Sequence, residues 1–530
     1  MFKRKNLFKC LLAGLASLFL VSSILLNMEA SAGSKGGTLT YGVKSKIESY
    51  DAHGANAYGV MHYIPQHYST LVTFNWDNFP ELKGDVAESW NVSKDGLTYT
   101  FKIRKGIKFH DGTPLTAKDV KATYDRLYNP PEGVRSARKN LFSSIGSIET
   151  PDDFTVVFKL KSVDGALLTG FGSPWNSIYS AKDIAKGPRW HAENINGTGP
   201  FRFVEHIQGK KWVAKRYEGY HFDDNYLDGT VGFAIKKIVN PMLGGQIMAE
   251  WRAAVPPVVK VLKEKMGDKV AFQTMPMLSF IMISLNTKFE PFKDKRVRHA
   301  LTLCVDRYKG LPTLARLTWT APQPAAALMP GSEFALPSNE LEKLTGFGRD
   351  MAANRAKARA LLKEAGHQNL KFKYSNRAVA HPYEQIAIFL IDQWKKCGVT
   401  VEQISSPTPK WVKMRRSGAF DVTIDFVSGF LPDPTVLLAK HVSKDRNPQN
   451  YSGYTDRKLD DLYEAQKKEP DPQKRKALIH EFIKHTTDLA WTIPMSFMNR
   501  TIALDKRVKG YKIAPSLVLN TDWRGVWIEE

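Results

Sequence analysis

Acidic residues are in short supply in this chain. Against 76 lysines and arginines stand 53 aspartates and glutamates, a formal net charge of +23. Cysteine is scarcer still, with three in 530 residues, so no disulfide framework organises the fold. No low-complexity tract interrupts the sequence, and no apolar run after residue 32 is long enough to span a bilayer. Also missing are HExxH, CxxC, GxSxG, a Walker loop and GxGxxG, so the common metalloprotease, hydrolase and nucleotide-binding motifs give no support to those chemistries. No metal ligand set, cofactor or catalytic residue is expected. The lysines are scattered rather than striped with aromatics, so nucleic acid is not an expected partner.

What is present begins with the first 32 residues. "MFKRKNLFK" is basic, "LLAGLASLFLVSSILL" is apolar, and "ASA" at Ala30–Ala32 offers small residues for cleavage. This is the pattern of a cleaved secretory signal, with an uncleaved membrane anchor as the alternative. Cys10 precedes the apolar run, so it is not a lipoprotein cysteine. Without the leader the net charge is about +20. A bland basic surface accounts for it; an anionic ligand or an anionic membrane surface is the sharper reading. Cys304 and Cys397 lie in helical patterns. They could pair in an oxidising compartment, but both are read as small apolar residues.

At this length two or three domains are expected. The first half groups alternating strands: "GGTLTYGV", "GLTYTFKIR" with Leu97, Tyr99, Phe101 and Ile103 on one face, and "DDFTVVFKL". Between the last two, "DGTPLTAKDVKATYDRLYN" starts a helix with Thr116 as N-cap and Asp119 in the capping-box position. From about Phe280 the rhythm changes. "FIMISLNT" reads as a short strand and "KDKRVRHALTLCVDRY" as one helix. Then "LKFKYSN", "HPYEQIAIFLIDQWKKCG", "VTVEQI", "PKWVKMRRSG" and "FDVTIDFV" alternate strand and helix, with Gly398 as a helix stop. That is β-α-β-α-β, the signature of a parallel or mixed sheet. In such sheets ligands sit beyond the carboxyl ends of the strands. Two loops qualify: "SNRAVAHP" (Ser375–Pro382) and "SGFLPDP". "FHDG", with His110 beside Asp111, is read as turn chemistry rather than an acid–base pair.

Five stretches carry a resemblance: "AESWNVSKDGLTYTFKIRKGIKFHDGTPLTAKDVKATYDRL", "NGTGPFRFVEH", "ISLNTKFEPFKDKRVRHALTLCVDR", "NRAKARALLKEAG" and "KRVKGYKIAP". Together they resemble the family 5 extracellular solute-binding proteins of ABC importers, whose members take dipeptides, oligopeptides, nickel complexes, haem and some sugars. The resemblance implies an α/β fold, a two-lobed periplasmic-binding-protein clamshell of type II with an extra small α+β domain in the first lobe. Its implied division is residues 33–75, 196–275 and 506–530 for lobe I, 76–195 for the inserted domain and 276–505 for lobe II. It also implies a monomer in the periplasm that encloses a small-molecule or peptide-like ligand. The ligand passes to the permease and ATPase complex of the inner membrane. An extracytoplasmic chaperone or sensor on the same clamshell is the competing reading, and a hydrolase the third.

Residue by residue, the resemblance is more pointed. Peptide-binding members carry W-x-x-D-x-x-D-P after the corresponding strand, and the first aspartate pairs with the ligand's amine. Alignment on Asp433-Pro434 puts Phe430 at that aspartate and Val427 at the tryptophan, so the amine-binding carboxylate is missing. In dipeptide-type members an arginine grips the ligand's carboxylate, and Arg377 falls there. Asn286, Trp411, Asn56 and Tyr58 are the remaining expected contacts. A ligand with an anionic group at Arg377 and an apolar body against Phe430 is the expectation.

Overall fold

The computed structural model describes residues 33–55, 58–250, 252–429, 431–519 and 523–530, without the side chains of Tyr58 and Ser428. The leader, Asn56 and Phe430 therefore lie outside the described residues, as does the Tyr58 side chain.

One mixed eleven-stranded sheet runs through both lobes. Its spine is a pair of long antiparallel strands, Val270–Leu285 and Thr492–Asp505. On one side of the spine lie Val422–Ser428, Lys371–Arg377 and Thr400–Ser406. On the other lie Ala249–Glu250, Thr38–Val43, Gly229–Ala234, Lys211–Arg216 and Phe201–Ile207, and the eleventh strand, Thr320–Pro324, pairs with Thr492–Asp505 off this line. "FIMISL" is thus the end of a 16-residue strand, longer than expected, and Asn286 and Thr287 lie just beyond it. The extra residues, Val270 to about Met277, pair with the same partner and carry the chain from one lobe to the other, with the register broken between Met277 and Phe280.

A separate four-stranded antiparallel sheet holds Ala87–Val92, Thr98–Ile103, Thr155–Leu160 and Ile145–Asp152 in that order. Tyr99, Phe101 and Ile103 all point into its own apolar core, with Leu97 at the edge, as the alternation predicts. The helix Ala117–Tyr128 covers it. Asp119 reaches back to accept from the Thr116 backbone N–H at 2.8 Å, one half of a capping box.

In the second lobe, Lys371–Arg377 pairs in parallel with Thr400–Ser406 over seven residues and with Val422–Ser428. The helices Gln385–Lys395 and Thr408–Ser417 are the crossovers; the second is capped by Gly418 and the first is followed two residues past its cap by Gly398, both glycines at positive φ. Two expectations are corrected here. "KDKRVRHALTLCVDRY" forms two helices, Lys295–Leu303 and Arg307–Ala315, because the Asp306 carboxylate accepts from the Lys309 N–H at 2.9 Å and starts the second. And Cys304 and Cys397 are disulfide-bonded, with their Cα atoms 6.2 Å apart. Each closes a helix, and Trp394 Nε1 donating to the Leu301 carbonyl at 3.0 Å fastens those helices end to end. Both cysteines are buried, so the apolar reading of their surroundings holds while the unpaired reading does not.

Candidate functional site

The parallel strands finish together, with Arg377 opposite Ser406. Their carboxyl ends therefore place the loops after Arg377, Ser406 and Ser428 on one rim, the usual ligand edge of an open α/β sheet. Arg377 is half-buried there. Its Nε donates to Thr408 Oγ1 at 2.8 Å and its Nη1 to the Tyr383 hydroxyl at 3.0 Å, while the guanidinium lies 5.0 Å from the Tyr383 ring centre. Both polar partners are neutral, so they orient the fork without cancelling its charge. Nη2 makes no hydrogen bond among the described residues. A permanently charged planar fork held this way is suited to a carboxylate or phosphate.

Tyr383 links Arg377 to the layer beneath. Its ring meets Trp411 at 5.6 Å and Phe426 at 5.2 Å, both edge-on. Trp411 is 3% exposed and donates from Nε1 to Thr423 Oγ1 at 3.2 Å. It thus supports Tyr383 from below rather than lining an open wall. Asn286 is not brought to this rim. Its Nδ2 donates to the Gly418 carbonyl at 2.9 Å and to the Phe420 carbonyl at 2.5 Å, and its Oδ1 accepts from Lys288 N at 3.0 Å. Those partners precede Val422–Ser428, roughly 20 Å from its carboxyl end at the rise of a strand. Neither Asn56, Phe430 nor the Tyr58 side chain is described.

The loop "GFLPDP" is anchored on both sides. Gly429 N–H donates to the Leu278 carbonyl at 2.5 Å, and the Gly429 carbonyl accepts from Ser516 Oγ at 3.1 Å. A Cβ at Gly429 would stand 2.4 Å from the Leu278 oxygen, so the backbone approach requires glycine. Leu431 is fully buried against Phe74, Leu278, Ala514 and Leu519. Asp433 caps the helix Pro434–Leu438 by accepting from Thr435 N at 2.8 Å. Both of its oxygens also accept from Arg475 Nη2, at 2.8 and 2.9 Å.

Sequence reasoning overlooked Tyr383 and a buried charge group behind Trp411. Asp425 is completely buried and accepts from Arg415 Nη1 at 2.8 Å and from Lys440 Nζ at 2.5 Å. The Arg415 guanidinium sits between the Trp411 and Tyr451 rings, 4.2 and 4.3 Å from their centres. Burial lowers the Lys440 pKa and neighbouring Arg415 adds to that, with Asp425 opposing both. The available signal was Asp425 itself, a carboxylate inside the apolar strand Val422–Val427, which needs a cation. A separate cavity of about 50 Å³ lies among Thr73, Trp76, Asp85, Tyr220, Leu519 and Arg524, away from the second lobe. It has room for a water or two and shares no lining residue with the Arg377 group.

Known proteins place this architecture. A glutathione-binding protein of Pectobacterium atrosepticum is 30% identical over 332 residues, 62% of this chain and 61% of that one. A dipeptide-binding protein of Escherichia coli is 25% identical over 476 residues, covering 84% of this chain and 86% of its own. Among solved structures, a periplasmic binding protein of Helicobacter pylori in complex with a peptide superposes with a TM-score of 0.78 at 23% identity, over 94% of this chain and 99% of that one. A substrate-binding protein of Listeria monocytogenes gives 0.80 at 24% identity, over 94% and 100%. At these identities the structures show the fold, a two-lobed clamshell. The model of the bacterial extracellular solute-binding proteins, family 5, matches residues 81–449, and the chain belongs to that family of ABC-importer receptors.

Proposed function

We propose that this receptor captures an organic solute bearing a carboxylate or phosphate, with Arg377 as the anion-binding group, and hands it unaltered to an inner-membrane permease. The observation that carries this reading is the Arg377 fork at the strand ends, oriented by two neutral hydroxyls and countered by no carboxylate among the described residues. The loop supports it: Phe430 stands where a peptide receptor carries its amine-binding aspartate, and a buried ammonium without a counter-charge costs several kcal/mol. Asp433, the carboxylate that the loop does contain, is occupied by Arg475. The relative named for glutathione fits the anionic half of this reading only, since glutathione has two carboxylates but also a free ammonium. We further assign the mature protein to the periplasm after cleavage behind Ala32, as a monomer without enzymatic activity. Lobe I takes residues 33–75, 196–275 and 506–530, the inserted domain 76–195 and lobe II 276–505.

Titration calorimetry with short-chain organic acids, phosphorylated metabolites, glutathione and free-amine dipeptides tests the assignment. Anionic ligands should bind, and Arg377→Ala should weaken them by about 1.5–3 kcal/mol, roughly ten- to a hundredfold in Kd. Tight binding of ordinary dipeptides, unchanged in Arg377→Ala, overturns it.

A further inference from the structure

Among the described residues, the four-stranded domain and the second lobe meet in a polar contact close to the aspartate of the ligand loop. Gly165 N–H donates to the Lys467 carbonyl at 3.1 Å. Next to it, Asp164 is almost wholly buried, accepts from Ala166 N through Oδ1 at 3.1 Å, and faces Lys467 Nζ with Oδ2 at 3.5 Å. Lys467 follows Gln466, whose backbone carbonyl accepts from Arg475 Nε at 3.1 Å. The same Arg475 holds Asp433 through Nη2 and reaches Thr435 Oγ1 at 3.0 Å. Its guanidinium lies hard against Gly165: a Cβ there would come 2.9 Å from Nη1 and 3.0 Å from Cζ. Below this polar line, Leu431 of the ligand loop packs with Phe74 and Leu82 from the other side.

We infer that this contact is a closure latch, and that Arg475 is a positioning residue that couples the ligand loop to the inserted domain. The inference rests on the clamshell-receptor reading above. Two unequal pairs meet at Arg475 and Gln466–Lys467. Asp433 and Arg475 belong to one lobe, are both nearly buried, and form a close charge-assisted pair. Asp164 and Lys467 belong to different bodies, stand 3.5 Å apart, and leave Lys467 21% exposed. Lys467 keeps some contact with water while Asp164 is enclosed, and the long pair joins two bodies, so it is the one that parts when the lobes open. The missing side chain at Gly165 lets the domain's backbone settle on Arg475, so closing the lobes presses on the residue that orients Asp433. The inserted domain, which contributes nothing to the Arg377 rim, thereby acquires a role in capture.

Spin labels at Lys118→Cys on the inserted domain and Lys458→Cys on the second lobe, both exposed, read the separation by pulsed electron resonance. The full-length mature protein is measured as purified, and again after unfolding in guanidinium and refolding by dialysis to strip bound solute. Wild type should show a short and a long distance, with the long one gaining on stripping. Lys467→Met and Gly165→Val should each lower the short-to-long ratio by about threefold or more, while Lys467→Arg retains it. The conservative rescue separates latching from mere structural support. Variants that match a wild type which does open overturn the latch and leave the receptor reading intact. A wild type with one unchanging distance overturns the clamshell reading and the latch with it.

Discussion

A lysine ammonium that is 8% exposed stays charged only while a carboxylate stands beside it. For Lys440 that carboxylate is Asp425, which also holds Arg415. Asp425→Asn leaves the Arg415 guanidinium without its anion and drives Lys440 toward the neutral amine, and the expected loss is about 3–5 kcal/mol of unfolding free energy, read by urea denaturation. The pH dependence follows from burial. An amine whose folded pKa lies below its unfolded 10.5 binds fewer protons when folded, so stability rises with pH up to the unfolded value. Removing Asp425 takes away the group that opposes the shift, so the variant should gain stability with rising pH more steeply than wild type. Adding Lys440→Met should recover part of the loss. Equal urea midpoints for wild type and Asp425→Asn would sink this account. The same reasoning makes the Arg377 rim legible and the layer beneath it obscure. Arg377 falls at a strand end that periodicity locates, whereas Tyr383 owes its place to a turn and Tyr451 to a loop far along the chain. No local pattern announces either contact.

At the level of elements, most of the second lobe can be read from spacing, because "LKFKYSN" and "VTVEQI" alternate and "QIAIFLIDQW" repeats at helical intervals. Two features resist for one reason: they are settled by partners distant in sequence. Val270–Met277 lacks a clean alternation and is a strand because Thr492–Asp505 lies beside it. Cys304 and Cys397 are 93 residues apart and meet because two helices end at the same place. A cross-link over a loop of that size restrains the unfolded chain by about 4–5 kcal/mol in the chain-entropy model. Cys304→Ala/Cys397→Ala should therefore lower the urea midpoint, and a thiol reductant should lower that of wild type but not of the variant. The sites are buried, so reduction should need partial unfolding and proceed slowly. A midpoint indifferent to both reductant and mutation would show that the bond adds nothing to folding.

For the whole molecule, the decisive groups under acid are histidines enclosed while neutral. Burial drives His53 and His67 down to about 3, His110 and His441 to about 4, and His191 to about 2; positive neighbours add to the shift at His53 and His191 (Arg126) and at His441 (Lys440). These residues are spread over the first lobe, the inserted domain and the second lobe, so no single part escapes. In the unfolded chain each titrates near 6.5. Between that value and about 4 the unfolded state binds protons that the folded state refuses, so stability must fall as pH falls through this window and be constant, as far as these groups go, above about 7. Each contributes up to about 1.4 kcal/mol per pH unit. Urea midpoints at pH 7.5, 6.5, 5.5 and 4.5 should be level at first and then decline with growing slope. The slope also reports the cause. His441 has neither ring nitrogen bonded among the described residues, so His441→Met removes one titrating group without orphaning a partner. That variant should lose about one group's share of the slope below pH 6. A wild-type midpoint that stays level from pH 7.5 to 4.5 would mean these rings find water or protons in the folded state, contrary to their enclosure.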